Sequence, residues 1–395
     1  MVPHWMSGFL FLAALTVAWT LINNYLARRV QSAFGWRGRR SRWLRYLFVL
    51  LSFTYIYGRM VERTFGVARW VGSLFHFGAY WVGFATISFC IFAVADLGRC
   101  AGGWSGHLRR RRQGETFRIH LVRPWSRRGM GILLVGSLLV CMYAIYGALA
   151  PPRVVRLKLT APAGSGVSAP VRMVLMSDLH LGHLGTSAQL DDTLEVVAGL
   201  RPDVVVVPGD IVDDRSPDVQ RGMARLGAIA APQGVVVTLG NHEHYTRLEF
   251  FLEQCEKNSI RVLRQQSWQM PQGLVLAGVD DLRVLRDHDL SLTEAFGKTL
   301  KPIPRERYTA LLLHRPVGVQ TAFDLGADLV LSGHTHGGQL PPFQILSPIA
   351  NDGHLAGSYE YGTGLLFVTS GAGFWGPPMR LFAPREVVLV EVVPE

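Results

Sequence analysis

The stretch Asp328-Leu329-Val330-Leu331-Ser332-Gly333-His334-Thr335-His336-Gly337-Gly338-Gln339 decides how the C-terminal half of this 395-residue chain is read. Its first five residues form an apolar run with the length and composition of a buried strand. Two imidazoles at i and i+2 then leave the strand end on one side of the backbone. The flanking glycines let the chain turn sharply and come close to an ion or a phosphate. A histidine pair of this kind needs further ligands, and they are sought outward from here.

From residue 171 onward, short apolar, β-branched runs alternate with amphipathic stretches. The runs are Val171–Met176, Asp203–Val207, Val235–Leu239, Leu274–Val279, Thr309–Leu313, Asp328–Leu331, Leu365–Thr369 and Val387–Val392. Leu190, Leu194, Val197 and Leu200 recur at helical spacing, and residues 218–230 and 247–257 read as further helices. Strands alternating with helices predict an α/β domain, in which ligands bind beyond the C-terminal ends of the strands. The polar residues fall at those ends: Ser177-Asp178-Leu179-His180, Pro208-Gly209-Asp210, Gly240-Asn241-His242-Glu243, His314, and the His334/His336 pair.

Imidazole and carboxylate donors suit borderline divalent ions such as Mn²⁺, Zn²⁺ and Fe²⁺. Asp178, His180, Asp210, Asn241, His314, His334 and His336 are too many donors for one tetrahedral site. They suit two ions sharing a carboxylate at ~3.5–4 Å separation, a clamp for the oxygens of a phosphoryl group during in-line water attack. His242 is then left free to stabilise the transition state or to protonate the leaving oxygen.

This D-x-H, G-D, G-N-H-E, lone H and G-H-T-H arrangement resembles the calcineurin-like metallophosphoesterase superfamily, over roughly residues 170–392. The resemblance implies an αββα sandwich of two mixed β-sheets flanked by helices. It implies one metal held by Asp178, His180, Asp210 and His336, and a second held by Asp210, Asn241, His314 and His334, with Asp210 bridging. His242 matches the family's catalytic histidine. The Ser370-Gly371-Ala372-Gly373 turn and Pro378-Met379-Arg380 resemble the membrane-associated bacterial branch, which includes phosphodiesterases and UDP-2,3-diacylglucosamine diphosphatases. The N-terminal half is similar to that of the transmembrane type with a metallophosphoesterase domain. His183, His244 and Arg380 are candidates to touch substrate phosphate. Asp280 and Asp281 end another strand, and His354 and Tyr361 precede the run at 365.

The charge is segregated. Residues 1–150 carry 19 Lys+Arg against 3 Asp+Glu, a net of +16, whereas residues 151–395 carry 21 against 26, a net of −5. The basic pI therefore belongs to the first part alone, and no nucleic-acid partner is expected of a mildly acidic C-terminal half. The four cysteines, Cys90, Cys100, Cys141 and Cys255, show no C-x-x-C spacing, which argues against a zinc ribbon or a disulfide framework.

Uncharged runs in residues 1–152 predict a bundle of four transmembrane helices at about 5–27, 43–61, 70–95 and 129–150. The second span is the shortest. If it crosses, the Arg-rich segments 28–45 and 98–128 share one side, as the positive-inside rule requires. Both chain ends then lie outside the cytoplasm. Residues 153–170 are expected to be a linker and 171–395 the metallophosphoesterase domain, which begins slightly earlier if 153–159 pairs as a strand. The expected function is a multi-pass cell-membrane hydrolase with an extracytoplasmic catalytic domain. It would cleave a phosphodiester or pyrophosphate, lipid-linked in one reading, with membrane lipids as further partners. The alternatives are a phosphoprotein or phosphomonoester phosphatase, and a non-catalytic metal-binding membrane sensor or scaffold.

Overall fold

In the computed structural model the chain divides into two compact units, Met1–Ala144 and Ile145–Glu395. The structure describes residues 4–65, 69–112, 124–182, 184 and 187–395.

The N-terminal unit is helical: α1 His4–Phe34, α2 Gly38–Phe65, α3 Arg69–Arg112 and most of α4 Arg127–Leu149. Four spans were expected. Among the described residues, two helices are long and apolar enough to cross a bilayer, Phe75–Gly102 within α3 and Arg127–Leu149. In α2, arginines 39, 40, 42 and 45 precede the uncharged stretch 46–58, and Arg59 ends it. That stretch is short of the roughly 20 residues a span needs. In α1 the side chains up to residue 12 lie outside the described residues. The second basic segment is no simple loop, because α3 runs on to Arg112; Arg118 and Arg123 lie outside the described residues. Asp96, the one acid in the apolar part of α3, is not left alone. It pairs with Arg29 and accepts from Tyr25 Oη at 2.6 Å and Trp125 Nε1 at 2.9 Å. A buried charge satisfied in this way escapes most of its desolvation cost.

The C-terminal unit is an α/β sandwich. Its strands are β1 Arg153–Ala161, β2 Val171–Leu175, β3 Val204–Val207, β4 Val235–Val237, β5 Arg261–Val262, β6 Gln266–Gln269, β7 Val275–Val279, β8 Thr309–Leu313, β9 Leu329–Ser332, β10 Gly357–Tyr361, β11 Gly364–Val368 and β12 Glu386–Pro394. They form two six-stranded sheets, ordered β1-β12-β2-β3-β4-β5 and β10-β11-β9-β8-β7-β6. Both sheets are mixed. Strands β2 to β5 run parallel and β12 is antiparallel to β2. In the second sheet β7, β8, β9 and β11 run parallel, with β6 and β10 antiparallel at its edges.

Period-two alternation builds the three core layers. Met173, Leu175, Val204, Val206 and Val236 from one sheet meet Leu276, Ala310, Leu312, Leu329 and Leu331 from the other. The opposite faces of the same strands are covered by helices. On the first sheet, Val174, Val205, Val207 and Val237 pack under α5 Ser187–Gly199, α6 Pro217–Gly227 and α8 Leu248–Lys257, and the short α7 Asn241–Thr246 leads into α8. On the second, Ala277, Leu311, Leu313 and Val330 pack under α9 Leu282–Asp287, α10 Leu292–Leu300 and α11 Val319–Asp324. A last helix, α12 Phe343–Ala350, follows a 3-10 turn at His336–Gly338 and has no buried residue.

The expected linker at 153–170 is largely a strand. Arg153–Ala161 pairs in parallel with β12 along its whole length, from Arg153 opposite Glu386 to Ala161 opposite Pro394. Only 162–170 connects, through a turn at Gly164 and Gly166.

Candidate metal centre

Five strands deliver polar residues to one edge of the sandwich. Asp178 and His180 follow β2, Asp210 follows β3, and Asn241 opens α7 just after β4. From the other sheet, His314 follows β8, and His334 and His336 follow β9. Asp178, His180, Asp210, His334 and His336 all have positive φ, between 46° and 69°. This left-handed region is strained for residues other than glycine, by roughly 1–3 kcal/mol each, and such strain collects at functional sites. Glycines permit the close approach. A Cβ on Gly240 would strike the Asp210 carboxylate, and one on Gly333 would strike Ser177 Oγ and Asp178 Oδ2.

The side chains converge in three overlapping groups, each with ligand atoms within 4.8 Å of one another: Asp178, His180 and His336; His180, Asp210 and His242; Asp210, His314 and His334. Asp210 belongs to two of them. Its Oδ2 lies 3.2 Å from His314 Nε2 and 3.8 Å from His180 Nε2, while its Oδ1 accepts from His242 N at 2.9 Å. His180 Nε2 faces His336 Nε2 at 3.0 Å, and His314 Nε2 faces His334 Nδ1 at 3.2 Å.

These residues fit metal ions. His180 donates from Nδ1 to Asp213 Oδ1 at 2.8 Å, and His314 donates from Nδ1 to the Pro208 carbonyl at 2.8 Å. Both Nε2 atoms are therefore aimed at the cluster as ligand atoms, the arrangement that orients metal-binding imidazoles. Asn241 Oδ1 is buried without a hydrogen-bond partner. An orphaned buried acceptor calls for a cation or donor at that point.

The electrostatics agree. Burial would raise the Asp210 carboxyl, but His314 and His242 hold it well below the ordinary carboxylate range. Burial would lower His314, yet Asp210 raises it to about 10, so the site draws positive charge to this point. His334 and His336 are driven well below the usual imidazole range, first by burial and then by His314 and His180 respectively. They are neutral, as ligands must be.

Asp213 went unread in the sequence. Its Oδ1 takes His242 Nδ1 at 2.6 Å as well as His180 Nδ1. Burial would raise this carboxyl, but His180 and His242 hold it well below its ordinary value. The only signal was the second acid in Gly209-Asp210-Ile211-Val212-Asp213. Glu243, read only as part of its motif, is fully buried. It accepts from the backbone N–H groups of Gly240, Asp210, Ile211 and Val212 at 2.7–3.3 Å. It thus ties the turn after β3 to the turn after β4. Two exposed aromatic rings flank His242, Tyr245 at 5.4 Å and Trp375 at 6.3 Å between centroids.

The weaker candidates fare differently. Arg380 does not face a cleft. It is fully buried, and its guanidinium donates to the carbonyls of Gly373, Ala383 and Ser370 at 2.8–2.9 Å and of His336 at 3.3 Å. It holds the backbone of the His336 turn instead of a substrate. His244 is half-buried and pairs with Asp287 at 2.8 Å. His183 lies outside the described residues. Asp280 pairs with Arg264 at 3.0 Å, and Asp281 caps α9 while pairing with Arg315 at 2.7 Å. His354 bonds the Pro316 carbonyl and Tyr361 Oη, a packing role.

An αββα sandwich with three overlapping His/Asp groups at its strand ends is the architecture of a metal-dependent phosphoester hydrolase. The calcineurin-like phosphoesterase family profile matches residues 171–338. An uncharacterized metallophosphoesterase of Campylobacter jejuni is 33% identical over 266 residues, covering 66% of this chain and 68% of that protein. One from Aquifex aeolicus is 34% identical over 225 residues, covering 56% of this chain and 85% of that one. A transmembrane protein with metallophosphoesterase domain from Danio rerio is 31% identical over 285 residues, 67% of this chain and 63% of that protein. The chain belongs to the calcineurin-like metallophosphoesterase family, hydrolases acting on phosphoric ester bonds.

Proposed function

We propose that the chain is a membrane-anchored phosphodiesterase or pyrophosphatase that uses two divalent metal ions. The observation that carries this reading is the sharing of Asp210 between His180 on one side and His314 and His334 on the other. Asp178, His180, Asp210 and His336 would hold one ion. Asp210, Asn241, His314 and His334 would hold the second. Ions such as Mn²⁺, Zn²⁺ or Fe²⁺ would supply positive charge to the phosphoryl oxygens and acidify the attacking water.

His242 is the proton carrier in this reading. Burial would lower its pKa, but Asp210 and Asp213 raise it to about 9, so it holds a proton at neutral pH. Asp213 fixes Nδ1 at 2.6 Å and leaves Nε2 to deliver that proton to the leaving oxygen. Trp375 and Tyr245 flank the ring. Two apolar helices support membrane anchoring. The extracytoplasmic placement of the C-terminal unit requires α1 and α2 to cross as well, so that both Arg-rich segments share the inner side. An amphiphilic, lipid-linked phosphodiester is the substrate class that suits such a location.

The test is metal-dependent hydrolysis of bis-p-nitrophenyl phosphate by the purified chain and by His242→Ala and Asp210→Asn. Equal rates in all three would remove the catalytic assignment. Faster turnover of p-nitrophenyl phosphate or phosphoserine peptides would replace the diesterase reading with a monoesterase one. A reporter fused at the C-terminus reads sidedness, and a cytoplasmic signal would overturn the extracytoplasmic placement.

A further inference from the structure

Helix α12 is built inside out. A surface helix normally turns apolar residues inward and polar ones outward. Here Ile345 and Ile349 are 71% and 78% exposed, and Phe343 and Leu346 are also exposed. The two polar residues, Gln344 and Ser347, are less exposed: Gln344 Nε2 donates to the Leu381 carbonyl at 2.9 Å, and buried Asn351 donates from Nδ2 to Ser347 Oγ at 3.4 Å. Phe382, next to Leu381, is 81% exposed with φ of +64°. Apolar side chains clustered in this way mark an interaction surface.

Three observations identify what covers it. First, the surface is uncharged: no Lys, Arg, Asp or Glu occurs in residues 329–351 or 361–379. Second, the loop that carries Phe382 packs on the end of an apolar helix. A Cβ on Gly147, in the last turn of α4, would stand 2.5 Å from the Arg380 carbonyl oxygen. Arg385 Nη1 donates to the Ala150 carbonyl at 3.1 Å. All of these residues belong to the C-terminal unit. Third, the surface is bolted to the metal cluster. Leu381 N donates to the Gln339 carbonyl at 2.8 Å, three residues past His336. The Gln339 side chain in turn holds the backbone of Trp375, whose ring flanks His242.

We propose that α12 and Phe382 dock the C-terminal unit onto the lipid bilayer that the chain's apolar helices enter, by insertion of uncharged side chains into the acyl region. The proposal rests on the membrane-anchored reading above. It specifies a surface and a mode: apolar insertion, insensitive to salt, as opposed to attraction to anionic headgroups.

The test uses the full chain in phosphatidylcholine nanodiscs, with Cys90→Ala and Cys100→Ala to remove the less buried thiols. An environment-sensitive fluorophore is placed at Ile349→Cys, at Phe382→Cys on a separate segment, and at exposed Lys257→Cys on α8 as a reference. At positions 349 and 382 the expected result is a blue-shifted emission, quenching by doxyl-labelled lipid, loss of iodide quenching, and no change at high salt. The probe at 257 should show the opposite quenching pattern. Iodide quenching at 349 and 382 without lipid quenching would overturn the proposal. Protection from both quenchers would also overturn it, because protein, such as a second copy of the chain, would then cover the surface. Probe depth does not depend on turnover. A lipid-quenched probe on a protein inactive toward phosphodiesters would remove the functional reading and keep the docking; an active protein with an iodide-quenched probe would do the reverse.

Discussion

Asp213 Oδ1 lies 2.6 Å from His242 Nδ1, and the same oxygen lies 2.8 Å from His180 Nδ1. One carboxylate oxygen thus fixes the tautomer of the proposed proton carrier and of a proposed metal ligand. Asp213→Asn keeps the shape and an accepting oxygen but removes the negative charge that holds both imidazoles. The expected outcome is a fall in kcat of about 10²-fold or more, the usual scale of general acid catalysis. Because the contact that orients His180 loses its charge, metal affinity should fall about 10–100-fold as well. Steady-state kinetics and metal content together check this, and His242→Ala added to Asp213→Asn should cost little more, since the two act as a unit.

Glu243 accepts two backbone N–H groups on each carboxylate oxygen. An amide has one accepting oxygen, so Glu243→Gln strands two donors and turns its own N–H groups toward them. At about 1–3 kcal/mol per unsatisfied buried group, the variant should be about 2–6 kcal/mol less stable. Thermal unfolding in the presence of chelator isolates this from any metal contribution. An unchanged midpoint would mean that the turns after β3 and β4 hold themselves without the carboxylate.

The mutual approach of His180 and His336, and the orphaned Asn241 oxygen, make the folded state the form that binds metal. Added Mn²⁺ or Zn²⁺ should therefore stabilise the chelator-treated protein, by about 2.7 kcal/mol at a free ion concentration 100 times Kd. Calorimetry should show this rise for the parent chain and a much smaller one for Asp210→Asn, which weakens both proposed sites at once.

Much of this site was legible because each strand is a continuous Val/Leu run that stops at a polar residue. Val204–Val207 and Leu329–Ser332 are buried on both faces and leave no ambiguity about where they end. Strand β1 was legible only as an alternative to a linker. Arg153, Arg156 and Lys158 put three charges into six residues because β1 is an edge strand with an exposed face, and so the segment resembles a linker. Helix α12 was hidden too, since Pro348 lies within it and its apolar side chains face outward. Asp213 and Trp375 acquire meaning only from spatial neighbours far away in the sequence.

The pairing of β1 with β12 makes a direct prediction about where the C-terminal unit can be cut. A fragment starting at Pro151 keeps all nine paired residues of β1. One starting at Val171, the boundary expected from sequence, exposes the β12 edge with Val388, Val390 and Val392. Open apolar edges recruit other chains. Size-exclusion chromatography should show the longer fragment as a discrete species and the shorter one as aggregate. Equal behaviour of the two would mean that β1 contributes nothing to the sandwich.

Arg380 separates two roles that kinetics can tell apart. Its guanidinium is spent on four carbonyls, one of them that of His336, and Arg380 Nη2 lies 3.3 Å from His336 Nδ1. Burial lowers its pKa to about 9, so it is still protonated at neutral pH. Arg380→Lys keeps the charge but has three donors on one nitrogen in place of a planar fork, and cannot span carbonyls from Ser370 to Ala383. Each stranded carbonyl costs about 1–3 kcal/mol, and the His336 turn loses its support. The variant should lose thermal stability, retain less metal and show a lower kcat, with KM nearly unchanged. A side chain that contacted substrate phosphate would give the opposite split: KM raised, metal content and stability intact. That second pattern would require Arg380 to leave its carbonyl cage during turnover, at the cost of four buried acceptors left without donors.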